Sequence, residues 1–198
     1  RVSRGLGDVY KRQNLMLARM DECQDMTALD RRNYTGYIHF LRGYAYYHIL
    51  MTCGPAILVG DEIFESNLDG PAYNTYRATY DETVEYICSE LETAAAYLPL
   101  KASIAQFERP TKGAAYALIA RLRLHAASPL FNGTSTARLY FGNWKRTYDK
   151  EYYINQNYSE EKWALAAAAC KRVIDMNVYE LFTVSKDQNT PQLPAGVP

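Results

Sequence analysis

Three histidines, four cysteines and several close carboxylate pairs are the residues of this chain that could do bond-making chemistry, and their spacing argues against it. His39 and His48 lie nine positions apart, which does not bring them to one helix face, and neither they nor His125 stand in an HExxH or triad pattern. Cys23, Cys53, Cys88 and Cys170 show no CxxC and no histidine at ligand spacing, so neither zinc nor a disulfide framework is expected, and they read as small buried hydrophobes. Glu82/Glu85 and Glu160/Glu161 have the makings of a glycoside-cleaving pair, yet both fall at helix starts, where charge complementing the helix dipole accounts for them. No catalytic residue, metal ligand or cofactor is therefore expected. Three sequons, at Asn33, Asn132 and Asn157, read as turns and caps.

A different chemistry stands out between residues 131 and 158. This stretch holds Phe131, Tyr140, Phe141, Trp144, Tyr148, Tyr152, Tyr153 and Tyr158, eight aromatics in 28 residues, which is not the composition of a disordered linker. Asn143, Arg146, Asp149, Asn155 and Asn157 are interleaved with them. Flat rings beside hydrogen-bonding groups make a recognition surface, and tyrosine, 18 of 198 residues here, supplies such plates at low conformational cost. The competing reading is that half or more of these rings only pin a long loop to its scaffold.

Helices must position that loop. Five segments carry helical periodicity, and none of comparable length alternates like a strand. They run over about 14–29, 34–52, 79–98, 111–127 and 159–176. The third is the clearest: Thr79 and Glu82 form a T-x-x-E capping box, Val84, Ile87, Cys88, Leu91, Ala94, Ala95 and Leu98 share one face, and Pro99 ends it. On the second, Tyr34, Tyr37, Ile38, Leu41, Ala45, His48 and Ile49 are expected to face inward. The fourth starts at Thr111 and is rich in alanine. The fifth, capped by Ser159 and Asn177, is expected to bury Trp163, Ala166, Ala167, Cys170, Val173 and Ile174. The fold class expected is all-α, as helix hairpins of the tetratricopeptide kind with long loops at 55–75 and 131–158, although no 34-residue repeat is legible.

Composition bounds the partners. The 22 basic and 22 acidic residues cancel, so neither nucleic acid nor an anionic surface is favoured by overall charge, and no apolar run approaches the roughly 20 residues needed to cross a bilayer. Residues 1–13, RVSRGLGDVYKRQ, show no periodicity and resemble an adaptor-derived tag of translated environmental fragments. They are set aside as non-native, leaving a helical domain over 14–182 and a truncated loop or linker over 183–198.

Four segments in order carry a family resemblance. GYIHFLRGYAYYHILMTCGPAILVGD, RATYDETVEYICSELETAAAYLP, RPTKGAAYALIARLRLHAASPLFNG and EEKWALAAAACKRVIDMNVYEL together resemble the N-terminal to central part of SusD/RagB-type nutrient-binding outer-membrane lipoproteins of Bacteroidota. Structural roles carry over to Arg42, Tyr44 and Tyr47, and to Gly113, Ala114, Ala117, Leu118, Ala120 and Arg121. The family's acidic residue between the glycine and the proline after the first signature is absent, since Gly54 meets Pro55 directly. The resemblance implies a non-catalytic protein on the extracellular face of the outer membrane, held by a lipid anchor that this fragment lacks. It would hand an oligosaccharide to a SusC-like TonB-dependent transporter. A sugar ring offers an apolar C–H face and a hydroxyl edge, which suits aromatic plates flanked by polar groups. On that basis Tyr140, Phe141, Asn143, Trp144, Arg146, Tyr148, Tyr152 and Tyr153 are expected to contact ligand. A helical-repeat scaffold that binds proteins and no glycan is the alternative.

Overall fold

The computed structural model describes residues 2–63, 76–181 and 183, with side-chain detail from residue 11 onward. Six α-helices occur among them: α1 Val2–Arg19, α2 Ala28–Cys53, α3 Tyr80–Tyr97, α4 Lys112–Ala127, α5 Ser135–Phe141 and α6 Glu160–Asp175. The described residues hold no strand, only one isolated antiparallel bridge between Lys145 and Tyr152. The all-α expectation stands.

Helices α1 to α4 pack side by side in chain order, α1 on α2, α2 on α3 and α3 on α4, and α6 packs on α4, past the short α5. The run is antiparallel. Gly36 of α2 lies against Leu98 and Gly43 against Leu91, while the Ala56 amide, just past α2, donates to the Thr83 hydroxyl at 3.3 Å. Likewise the Lys112 amide that opens α4 donates to the Pro99 carbonyl at 2.9 Å, and Arg123, one turn before the end of α4, pairs with Glu85 near the start of α3. This is the stacking of tetratricopeptide-like hairpins.

α3 forms where the sequence reading placed it. The Thr79 hydroxyl accepts from the Glu82 amide and the Glu82 carboxylate accepts from the Thr79 amide, which completes the capping box. Every residue expected on its face is buried, and Tyr80, Thr83 and Glu90 are buried too, because α2 and α4 cover it from two sides. α4 likewise begins at Thr111, whose hydroxyl accepts from the Ala114 amide.

The other helices depart from expectation. α1 begins at Val2, inside the segment set aside as a tag, and it ends at Arg19, not near Leu29. α2 opens at Ala28, six residues before the expected start, because the hydroxyl of its N-cap Thr27 accepts from the Asp30 amide; T-x-x-D is a capping signal that the periodicity argument passed over. The buried face of α2 is also rotated. Gly36, Ile38, Arg42, Gly43, Tyr46, Tyr47 and Leu50 point inward, whereas Tyr34, Leu41 and His48 are exposed. An apolar stripe cannot reveal a face built on an arginine and two glycines. At Gly43 a Cβ would sit 3.0 Å from the Leu91 side chain, so the two helices meet almost backbone to side chain.

On α6 only Ala166 is buried. Trp163, Ala167, Cys170 and Ile174 are exposed, while α6 packs on α4, with the Arg172 guanidinium 3.8 Å from the centre of the Tyr116 ring. Ser159 occupies the N-cap position without a side-chain cap bond, and Asn177 follows the helix with φ 52°. Of the cysteines, Cys88 alone is buried, where burial pushes its thiol up to about 12. The other three are exposed, contrary to expectation, because they fall at helix ends or on the outer side of α6. Of the two long loops, residues 64–75 lie outside the described part, as does 183–198 except for residue 183.

Candidate functional site

The 131–158 stretch is an ordered unit and not a loop. It begins at Asn132, fully buried, whose side chain donates to the Ala127 and Ser159 carbonyls at 3.3 and 2.9 Å and accepts from the Ser159 amide at 2.9 Å. One asparagine thus ties the end of α4 to the start of α6 and leaves nothing for a modifying enzyme to reach. Gly133 follows at φ 58°, where a Cβ would lie 2.1 Å from the Asn157 backbone, so only glycine closes the base of this unit. α5 comes next, and after it the chain doubles back.

That return is a short hairpin. The Tyr153 amide donates to the Trp144 carbonyl at 3.1 Å and the Arg146 amide to the Glu151 carbonyl at 2.8 Å; Lys150 turns the chain at φ 65°. The Tyr80 amide donates to the Tyr153 carbonyl at 2.8 Å, which fastens the hairpin to the start of α3. Arg146 is the electrostatic anchor. It is buried at 6% exposure, and its guanidinium meets Asp149, Glu151 and, at 3.2 Å, Glu82. The backbone hydrogen bond from Thr79, reinforced by Arg146, holds the Glu82 carboxyl below the usual carboxylate range despite some desolvation. The capping box of α3 and the hairpin therefore share one carboxylate.

The rings make a ladder from core to surface. Tyr80 stacks on Phe131 at 4.5 Å; Phe131 is 6.0 Å from Phe141, Phe141 is 6.0 Å from Trp144, and Trp144 is 4.7 Å from Tyr153. Its outer rung is accessible, with Trp144 36% exposed. A second exposed pair stands on the same hairpin, Tyr148 against Tyr76 at 4.1 Å between ring centres. Lys145 covers Tyr152 at 4.3 Å.

The structure brings Phe141, Trp144 and Tyr153 into one ladder and puts Tyr148 on the neighbouring pair. Tyr152 carries a cation, and Asn143 and Tyr140 are exposed beside them. Arg146 differs from the rest, because its hydrogen-bonding edge is turned inward onto three carboxylates. Tyr76 is the residue that sequence reasoning did not single out, because no local signal pairs it with a tyrosine 72 positions away.

The three histidines are spread across the fold. His39 pairs with Glu90 at 2.8 Å, the Tyr80 hydroxyl meets Nδ1 of His125 at 2.8 Å, and His48 lies exposed against Tyr44. Among the described residues no three His, Cys, Asp or Glu side chains are grouped to hold a metal ion, and no helix is long and apolar enough to cross a membrane.

A family model described as starch-binding and associating with the outer membrane matches residues 9–124, more than half of the chain. The chain belongs to this SusD-like family. Solved structures agree with it. BT4246 is 25% identical with a TM-score of 0.76, covering 87% of this chain and 29% of that one. A SusD-like protein from Bacteroides fragilis NCTC 9343 is 21% identical with a TM-score of 0.61, covering 87% and 26%. A laminarin-binding SusD-like protein is 22% identical with a TM-score of 0.51, covering 61% and 26%. The chain thus spans less than a third of the SusD-like structures it matches. No curated protein matches it.

Proposed function

We propose that this chain contributes a glycan-contacting surface to a non-catalytic SusD-like protein on the extracellular face of the outer membrane, which passes its ligand to a TonB-dependent transporter. The observation that carries the reading is the aromatic ladder, which starts in the core at Tyr80 and ends in the exposed plate of Trp144 on Tyr153. A plate fixed in this way can take the apolar face of a sugar ring without losing side-chain freedom. Tyr148 with Tyr76 gives a second plate, and Asn143 and Tyr140 stand at the rim for hydroxyl contacts. Arg146 is assigned to positioning, since it sets the hairpin and does not touch ligand. The family's starch-binding description supports a glucan as the first ligand to try.

Calorimetry of the full-length protein against a polysaccharide panel that includes α- and β-glucans tests the proposal. Binding to at least one glycan is expected, weakened about tenfold or more by Trp144→Ala with little change in melting temperature. A blank panel overturns the reading in favour of a protein-binding scaffold. Unchanged affinity in a destabilised Trp144→Ala variant makes the tryptophan a structural pin. Release of reducing sugar by the purified protein overturns the non-catalytic assignment, and co-purification with a TonB-dependent transporter tests the delivery step.

A further inference from the structure

The connection between α3 and α4, residues 98–111, presents apolar side chains to water. It is folded around a 3₁₀ turn at Ile104–Gln106, where Ile104 is 96% exposed and Phe107 81%. Its backbone is closed on itself. The Gln106 amide donates to the Ser103 carbonyl at 2.9 Å, the Arg109 amide to the Gln106 carbonyl at 3.0 Å, and the Lys112 amide to the Pro99 carbonyl across the neck at 2.9 Å. Each of these pairs takes one donor and one acceptor off the backbone groups that would have to leave water with the tip, which lowers the cost relative to a fully open loop.

The surroundings match one kind of partner. Leu100 is exposed just past the neck, and Tyr34 and Tyr97 stand at the base, 37% and 40% exposed. Arg32, Lys101 and Arg109 are exposed around them against the single carboxylate of Glu108. Arg32 is held there by its contact with the Tyr97 carbonyl at 3.5 Å, and Arg109 lies 5.6 Å from the centre of the Tyr37 ring. Apolar tip, amphipathic tyrosines and then cations is the order of polarity met on passing from acyl chains through the interface to anionic headgroups. We infer that this loop inserts into an anionic lipid surface, with Ile104 and Phe107 below the headgroups and Arg32, Lys101 and Arg109 among them.

The inference is independent of glycan binding. The hairpin is attached at the start of α3 and the loop at its end, about 25 Å apart along an 18-residue helix, so the two surfaces can act together.

The test is co-sedimentation of the full-length, unacylated protein with vesicles of phosphatidylcholine alone or mixed with phosphatidylglycerol. Binding to the mixed vesicles is expected, falling as salt is raised. It should drop about tenfold or more in the Ile104→Ser/Phe107→Ser double variant. Lys101→Glu should weaken it several-fold, and a Phe107→Trp reporter should shift its emission to the blue on vesicles. Both tip residues are almost fully exposed, so the variants should melt with the wild type. No binding to anionic vesicles, equal binding by the double variant, or sedimentation without the blue shift each overturns the inference. So does a tip found shielded in the free full-length protein, read as a Phe107→Trp emission already blue before vesicles are added.

Discussion

At the scale of single residues, one buried charge pair joins four parts of the fold. Arg42, 2% exposed, donates to both carboxylate oxygens of Glu90 at 2.8 and 2.7 Å, to Asn14 on α1 at 2.9 Å and to Asp61 at 2.6 Å. Asn14 donates onward to the Gly60 and Glu62 carbonyls at 2.9 and 2.8 Å. Burial opposes ionisation of Glu90, but His39 and Arg42 outweigh it and hold its carboxyl below the usual range. The same pairing outweighs the desolvation of Arg42, and its guanidinium is held up. Removing one partner strands the other, so Arg42→Ala should cost about 3–5 kcal/mol in urea unfolding. An Arg42→Leu/Glu90→Leu pair should cost much less, and additive losses would refute the coupling. Gly43→Ala is the steric counterpart: its Cβ meets Leu91 at 3.0 Å, and an overpacking loss of about 1–3 kcal/mol is expected from the same measurement.

At the scale of elements, the Thr79/Glu82 capping box does two jobs. Thr79→Ala removes a cap and should cost about 1 kcal/mol. Glu82→Ala should cost more, because it also takes a carboxylate from buried Arg146, and amide exchange should then rise across residues 144–153 while α4 stays protected. Local signals made α3 and α4 legible: a cap, an apolar stripe, a proline stop. They failed for α2, where the inward face carries Arg42 and two glycines, and for α6, whose apolar stripe faces outward. They also missed α5 and the hairpin, since seven helical residues and one bridge leave no period to detect. The aromatic density of 131–158 was legible, whereas the inward turn of Arg146 and the meeting of Tyr148 with Tyr76 depended on which chain segments became neighbours.

At the scale of the whole molecule, the titratable groups held away from their ordinary values set the response to acid. His125 is held below its ordinary value of 6.5 by burial and by Arg121. The unfolded chain therefore binds more protons as pH drops below 6.5, and stability should begin to decline there. Glu82 and Glu90 are held below 4.5, so their contribution is complete above 4.5 and is lost as pH falls through their lower folded values. Urea midpoints followed from neutral to acid pH should show both declines; Glu90→Gln should flatten the second and leave the first. Composition and local pattern by themselves determined an all-helical chain, its third and fourth helices and one aromatic-rich segment, because caps, stops and periodicity act over a few residues. Only the tertiary structure decided which face of each helix is inside, which arginine is buried and which rings form a plate. Those depend on contacts between residues tens of positions apart, which a single sequence does not record.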